Sequence, residues 1–209
     1  MKDWVLNMTD EEYINFIQPY DDARQMLLTR LDVLNHTLYG DSQSCPIHYI
    51  QSRIKTKTSM EEKIKKKDKE PTVENVKDYL QDIAGVRIIC YFVDDIYNLA
   101  KKMKKQSDLI MIRECDYISE PKPNGYRSYH MIIGMPVYCL DGMEYFPVEI
   151  QFRTISMDFW ASMEHRMVYK KKCENKDKLR EELKTYADML VEIEKRFEQH
   201  NEVGRIKLN

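Results

Sequence analysis

Four β-rich runs lie close together in the chain: GVRIICYF (85–92), LIMIRE (109–114), YHMIIGMPVYCL (129–140) and MEYFPVEIQFRT (143–154). A single helical pattern, DDIYNLAKKMKKQ (94–106), separates the first two, with Asp94 placed to cap it. Strand, helix and strand in that order form a crossover, so part of the sheet is expected to be parallel. Asp141-Gly142 between the last two runs is a hairpin signal, so those strands are expected to be antiparallel. A mixed sheet has to be covered by helices. From Thr9-Asp10-Glu11-Glu12 onward, Leu27, Leu31, Leu34 and Leu38 fall at helical spacing, with Gly40 as a natural stop. Leu183, Tyr186, Leu190, Ile193 and Phe197 repeat the pattern between Lys178 and His200. These two stripes either close the monomer's own core or mediate self-association as a dimer or tetramer.

The expected fold is therefore α/β, a mixed sheet of about five strands flanked by helices, in one domain spanning residues 1–209. Its core runs from about residue 21 to 195, and 201–209 is expected to be a flexible tail, with looser segments at 66–72 and 119–125. With 43% hydrophobic and 33% charged residues, disorder does not dominate. The opening MKDWVLNMTDEE brings acidic residues before any long apolar run, and no run approaches about 18 apolar residues, so the reading is cytoplasmic, without a membrane span. Five cysteines, widely spaced and without a CxxC pair, suggest neither a disulfide framework nor a zinc site. A formal net charge of −2 argues against a general nucleic-acid coat, yet cations gather at 53–69, 101–105 and 170–172, which suits a local anionic ligand.

RIKTKTSMEEKIKKK (53–67) puts seven cations into fifteen residues. Strand alternation would place Arg53, Lys55 and Lys57 on one face, and Ser59-x-x-Glu62 resembles a capping box opening a helix that carries Lys63, Lys66 and Lys67. The stretch is either a polyphosphate grip or a solvated edge strand with a lysine-rich surface helix.

Asp82-Ile-Ala-Gly-Val-Arg-Ile sets a carboxylate just before a strand and Arg87 inside an apolar one, where its guanidinium either pairs with a carboxylate or stacks on a planar ligand. In VEIQFRT, period two gathers Glu149, Gln151 and Arg153 on one face, opposite Val148, Ile150 and Phe152. A carboxylate in such a row needs a partner, so Arg87 or a divalent ion is expected beside Glu149. Asp82 and Glu149 together suit Mg²⁺, which fills its shell with phosphate oxygens and water. SEPKPNGYRSYH adds Asn124, Tyr126 and His130 beside a constrained turn. Tyr126 either packs or offers a flat face to a base, and His130 is either a structural histidine or a proton carrier. No Walker loop or GxGxxG motif occurs.

In order and spacing, R-x-K of RIKTKTS, DIAGVRI, KPNGYRSYH, VEIQFRT and DFWASMEHRMVYK resemble the synthetase domain of RelA/SpoT-type enzymes, specifically the stand-alone small alarmone synthetases. The resemblance implies a nucleotidyltransferase-like fold and transfer of the β,γ-pyrophosphate of ATP to the ribose 3′-hydroxyl of GMP, GDP or GTP. It further implies that Arg53 and Arg87 sandwich adenine, that Lys55, Lys63 and Lys66 hold the ATP phosphates, and that Asp82 and Glu149 bind Mg²⁺. Glu149 would also orient or deprotonate the attacking hydroxyl. Tyr126 would stack on guanine, with Asn124, His130, Gln151 and Ala161 completing the acceptor site.

The chain also departs from the family. Long members carry a hydrolase built on a His-Asp pair, whereas no His-Asp dipeptide occurs here, so synthesis alone is expected. Some small synthetases bind product in a tetramer cleft, where the corresponding positions here hold Tyr49, Gln51 and Asp158. A carboxylate at Asp158 would repel a phosphate, which speaks against product activation by that route. Lys66, where relatives often carry Arg, replaces a bidentate phosphate contact by a point charge. The alternative from another class is a catalytically silent regulator that binds guanine nucleotide or RNA.

Overall fold

In the computed structural model, which describes residues 7–39, 45–170 and 176–206, the sheet is the organising element. Helix α1 (Asp10–Tyr39) precedes strand β1 (Ile47–Ile54), helices α2 (Lys57–Lys65) and α3 (Val73–Tyr79), and strand β2 (Ala84–Cys90). Helix α4 (Val93–Lys104), strands β3 (Ile110–Asp116), β4 (Tyr129–Cys139) and β5 (Gly142–Thr154), and helices α5 (Ile155–Lys170) and α6 (Lys176–Ile206) follow. The strands lie in the order β1-β2-β5-β4-β3. β2 and β5 are parallel and every other neighbouring pair is antiparallel, as the crossover and the hairpin require.

Alternation gives the sheet two different faces. Val86, Ile88, Met131, Ile133, Val148, Ile150 and Phe152 point into one continuous core. Helix α1 covers that face with Tyr20, Ala23, Leu27 and Leu31, joined by Ile96, Leu99 and Met103 of α4. The α1 stripe thus closes the monomer's own core. Its start is a reciprocal capping box, in which Thr9 N–H donates to Glu12 Oε2 at 2.7 Å and Glu12 N–H donates to Thr9 Oγ1 at 3.2 Å. The α6 stripe divides. Leu183 and Ala187 bury against Trp160 of α5, while Tyr186, Ile193 and Phe197 stay exposed. Gly40, Cys173 and residues 171–172 and 207–209 lie outside the described residues. Helix α6 itself runs to Ile206, into the stretch expected as a tail.

Three local expectations are corrected. The R-x-K strand stops at Ile54, because its only neighbour, β2, begins at the opposite residue, Ala84. Thr56 then caps α2 by accepting from Ser59 N–H at 3.3 Å, so the helix starts at Lys57 and the capping box at Ser59 does not form. Arg53, Lys55 and Lys57 consequently do not share a strand face. At α4 the capping carboxylate is Asp95, accepting from Phe92 N–H at 3.2 Å, and Asp94 sits in the first turn. Residues 66–72 form a hydrogen-bonded turn closing α2, followed by α3, which Thr72 caps. Among the described residues, no helix is long and apolar enough to cross a membrane.

Candidate active site

The second face of the sheet is polar. Gln51 and Arg53 of β1, Arg87 of β2 and Glu149 and Gln151 of β5 line one cavity of about 420 Å³, together with Tyr49. Parallel pairing places Glu149 opposite Gly85 and Gln151 opposite Arg87. A second cavity, of about 190 Å³, opens on the other side of Glu149 between β3, β4 and β5, and Arg113, Cys115, Tyr117, Lys122 and His130 line it. Glu149 lines both.

Just before β2, Asp82 sits between two lysines, with Lys63 Nζ at 2.5 Å and Lys55 Nζ at 2.9 Å from its Oδ2. Burial raises the Asp82 pKa, but the hydrogen bonds and charges of Lys63 and Lys55 outweigh it and hold the carboxyl below its usual range. Its other oxygen, Oδ1, is buried without a hydrogen-bond partner. A buried, ionised carboxylate with one free oxygen is a fit donor for a hard cation. Among the described residues no group of three or more His, Cys, Asp or Glu side chains gathers to hold a metal, so any such cation would draw most of its ligands from outside the protein.

Arg87, one of the two partners expected beside Glu149, lines the same cavity but bonds to other groups. Arg87 Nη1 reaches Asp158 Oδ1 at 3.3 Å and Gln51 Oε1 at 3.5 Å. Burial and the adjacent Arg153 lower its pKa, and Asp158 opposes them. Glu149 instead accepts from Gln151 Nε2 at 3.1 Å and faces His130 Nδ1 across 3.8 Å. Arg153 Nη2 donates to Tyr126 Oη at 3.0 Å, and the same hydroxyl shares a hydrogen bond with His130 Nε2 at 2.9 Å. Burial, reinforced by Arg153, Lys122, Arg113 and Arg87, pushes the His130 pKa down to about 4, so the ring is neutral at pH 7.

The loop that carries Tyr126 is held by α6. Gly125 has φ +91°, and a Cβ there would lie 2.7 Å from Ala187 Cβ. Arg127 donates to Glu194 Oε2 at 2.8 Å, and Ser156 and Thr154 donate to Glu194 Oε1. Lys122 Nζ lies 4.6 Å from the Tyr117 ring centre and 4.9 Å from that of Tyr126.

The structure thus brings Arg53, Arg87, Gln151, Glu149 and His130 to the two cavities, with Lys55, Lys63 and Asp82 in one cluster beside them. It does not bring every expected residue there. Lys66 is exposed at the C-cap of α2, outside the Asp82 cluster. Asn124 accepts from Tyr126 N–H at 3.2 Å and lines a separate groove with Arg180 and Lys184 of α6. Ala161 packs on the Trp160–Leu183 cluster, as does Tyr126, whose ring also meets His130 edge to face at 6.0 Å and whose hydroxyl lies beside His130 Nε2. Arg113, Tyr117 and Lys122 were not anticipated individually. The signal available for them was period two in the run from Ile110, which puts Arg113 and Cys115 on the face of His130.

A family model described as a region found in RelA/SpoT proteins matches residues 52–174, more than half of the chain. The chain is also 41% identical over 182 residues to the GTP pyrophosphokinase YwaC of Bacillus subtilis, covering 86% of this chain and 85% of that protein. It belongs to the RelA/SpoT family. Solved structures of small alarmone synthetases agree with this RelA/SpoT assignment. Small alarmone synthetase 1 from Bacillus subtilis, bound to its product pppGpp, superposes with a TM-score of 0.81 at 30% identity, covering 92% of this chain and 97% of that one. Small alarmone synthetase 2 from the same organism gives 0.78 at 38% identity, covering 91% and 98%.

Proposed function

We propose that this RelA/SpoT-family chain is a (p)ppGpp synthetase, a GTP pyrophosphokinase that moves the β,γ-pyrophosphate of ATP onto the 3′-hydroxyl of a guanine nucleotide, without hydrolase activity. The observation that carries the reading is Glu149, the one carboxylate that lines both cavities. Small alarmone synthetase 1 from Bacillus subtilis has been solved both with its product pppGpp and with AMPCPP, which supports nucleotide ligands for this chain.

In this reading the cavity with Arg53 and Arg87 receives ATP, and the planar guanidiniums offer stacking faces to adenine. Lys55 and Lys63, which hold Asp82 in the free protein, turn to the triphosphate when it binds. Asp82 through its free Oδ1, together with Glu149, would hold Mg²⁺, whose chemistry is to neutralise phosphate charge and fix the pyrophosphate. The guanine nucleotide occupies the His130 cavity, where Arg113 and Lys122 supply positive charge. The 3′-oxygen attacks the β-phosphorus in line, the bond to the α,β-bridging oxygen breaks, AMP leaves, and Glu149 takes the hydroxyl proton. His130, neutral at pH 7 and with Nδ1 3.8 Å from Glu149 Oε1, stands beside that carboxylate without neutralising its charge. A cytoplasmic location, with ATP and guanine nucleotides at hand, suits this chemistry.

Labelled ATP incubated with GMP, GDP or GTP and Mg²⁺ tests the proposal. A 3′-pyrophosphorylated guanine nucleotide and AMP are expected. Binding of nucleotide or RNA with no product would instead establish a silent regulator.

A further inference from the structure

The two cavities are joined by more than Glu149. Asp158, in the first turn of α5, places a single oxygen between two guanidiniums: Arg153 Nη1 at 2.9 Å and Arg87 Nη1 at 3.3 Å. Arg87 lines the first cavity. Arg153, only 6% exposed, continues through Tyr126 to His130 in the second. The Nε atoms of both arginines are buried without a partner, so Asp158 is the carboxylate to which both are anchored. Two like charges on one oxygen, Arg153 buried and Arg87 partly so, are held together by the counter-charge between them.

We propose that Asp158 is a positioning residue that couples the two nucleotide sites, so that filling one raises affinity in the other. A base stacking on Arg87 fixes that guanidinium, which fixes Asp158, then Arg153 and the Tyr126–His130 pair. The coupling is reciprocal, as linkage demands. The inference rests on the two-nucleotide reading above and adds to it a specific path.

Titration calorimetry on the full chain with Mg²⁺ tests it, using an α,β-methylene ATP analogue, whose bridging methylene prevents transfer, with and without saturating GDP. The wild type is expected to bind the analogue at least about fivefold more tightly when GDP is present, within the usual range for coupled sites. In Asp158→Asn, which keeps an acceptor oxygen but removes the charge, the factor is expected to fall below about twofold. A purely structural role for Asp158 would lower the melting temperature or both affinities and leave their ratio unchanged. An unchanged ratio in the variant, or no coupling in the wild type, overturns the proposal. Should Asp158→Asn not fold by circular dichroism, Arg153→Lys makes the equivalent cut, because lysine lacks the second nitrogen that reaches Tyr126. The same loss is expected there, and an unchanged factor again overturns the idea. Product formation by the wild type is scored separately: an enzyme that makes product without coupling sinks this inference alone, and one that makes none sinks the function.

Discussion

His130 Nδ1 and Glu149 Oε1 face each other across 3.8 Å on neighbouring strands, and the other ring nitrogen is taken by Tyr126. The ring's pKa of about 4 in the folded protein lies below its ordinary 6.5, so the unfolded chain binds more protons between those values. The stability that neutral His130 contributes is fully present above pH 6.5 and is lost as pH falls from 6.5 towards 4. His130→Asn is therefore expected to lose less melting temperature than the wild type between pH 7 and pH 4.5. Equal losses in the two proteins would rule out a neutral, buried imidazole.

Replacing Asp82 by Asn removes the charge that the two lysines converge on and leaves at most an uncharged amide oxygen where a carboxylate is proposed to hold Mg²⁺. Turnover is expected to drop by about 10² to 10³, the usual cost of losing one preorganised charge in an active site. Far-ultraviolet circular dichroism should remain that of the wild type. Retained turnover would remove Asp82 from the mechanism.

Lys55 and Lys57, two residues apart, are expected to behave differently. Lys57 Nζ donates to Met8 O at 2.8 Å and Asp10 Oδ1 at 3.2 Å and so ties down the start of α1, whereas Lys55 belongs to the Asp82 cluster. Lys57→Ala should cost about 1 kcal/mol of stability with little change in kcat or KM. Lys55→Ala should raise KM for ATP by tenfold or more, since a charged hydrogen bond to phosphate contributes about 1.5–3 kcal/mol. Steady-state kinetics beside urea denaturation separates the two.

Gly125→Ala should destabilise the protein by about 1–3 kcal/mol, because the new methyl would meet Ala187 at 2.7 Å and the backbone sits at φ +91°. The same change displaces the loop bearing Tyr126, so KM for the guanine nucleotide should rise more than KM for ATP. Chemical denaturation and separate KM values check both parts.

Much of this was legible in the sequence where one element decides the outcome. The polar row Glu149, Gln151, Arg153 follows from period two within a single strand, and the structure puts that row on the face away from the core, with Glu149 and Gln151 lining a cavity and Arg153 buried beside them. What depends on a partner was not legible. The length of β1 is set by where β2 begins, which undid the shared face of Arg53, Lys55 and Lys57. Arg113 and Cys115 share a face by period two, but only the pairing of β3 with β4, Cys115 opposite His130, brings that face to the cavity. Asp158 finds Arg87 because α5 returns beside β2, a contact 71 residues apart in the chain. Helix α3 is seven residues with few apolar positions, too short for periodicity to register.

A crystal structure of the chain with Mg²⁺, the α,β-methylene ATP analogue and GDP would reveal whether two nucleotides meet on either side of Glu149. The predicted result is the analogue against Arg53 and Arg87, GDP against His130, and the GDP 3′-oxygen within about 3.2 Å of the Glu149 carboxylate. Nucleotides bound elsewhere, or a 3′-hydroxyl out of hydrogen-bonding reach of Glu149, would contradict the account.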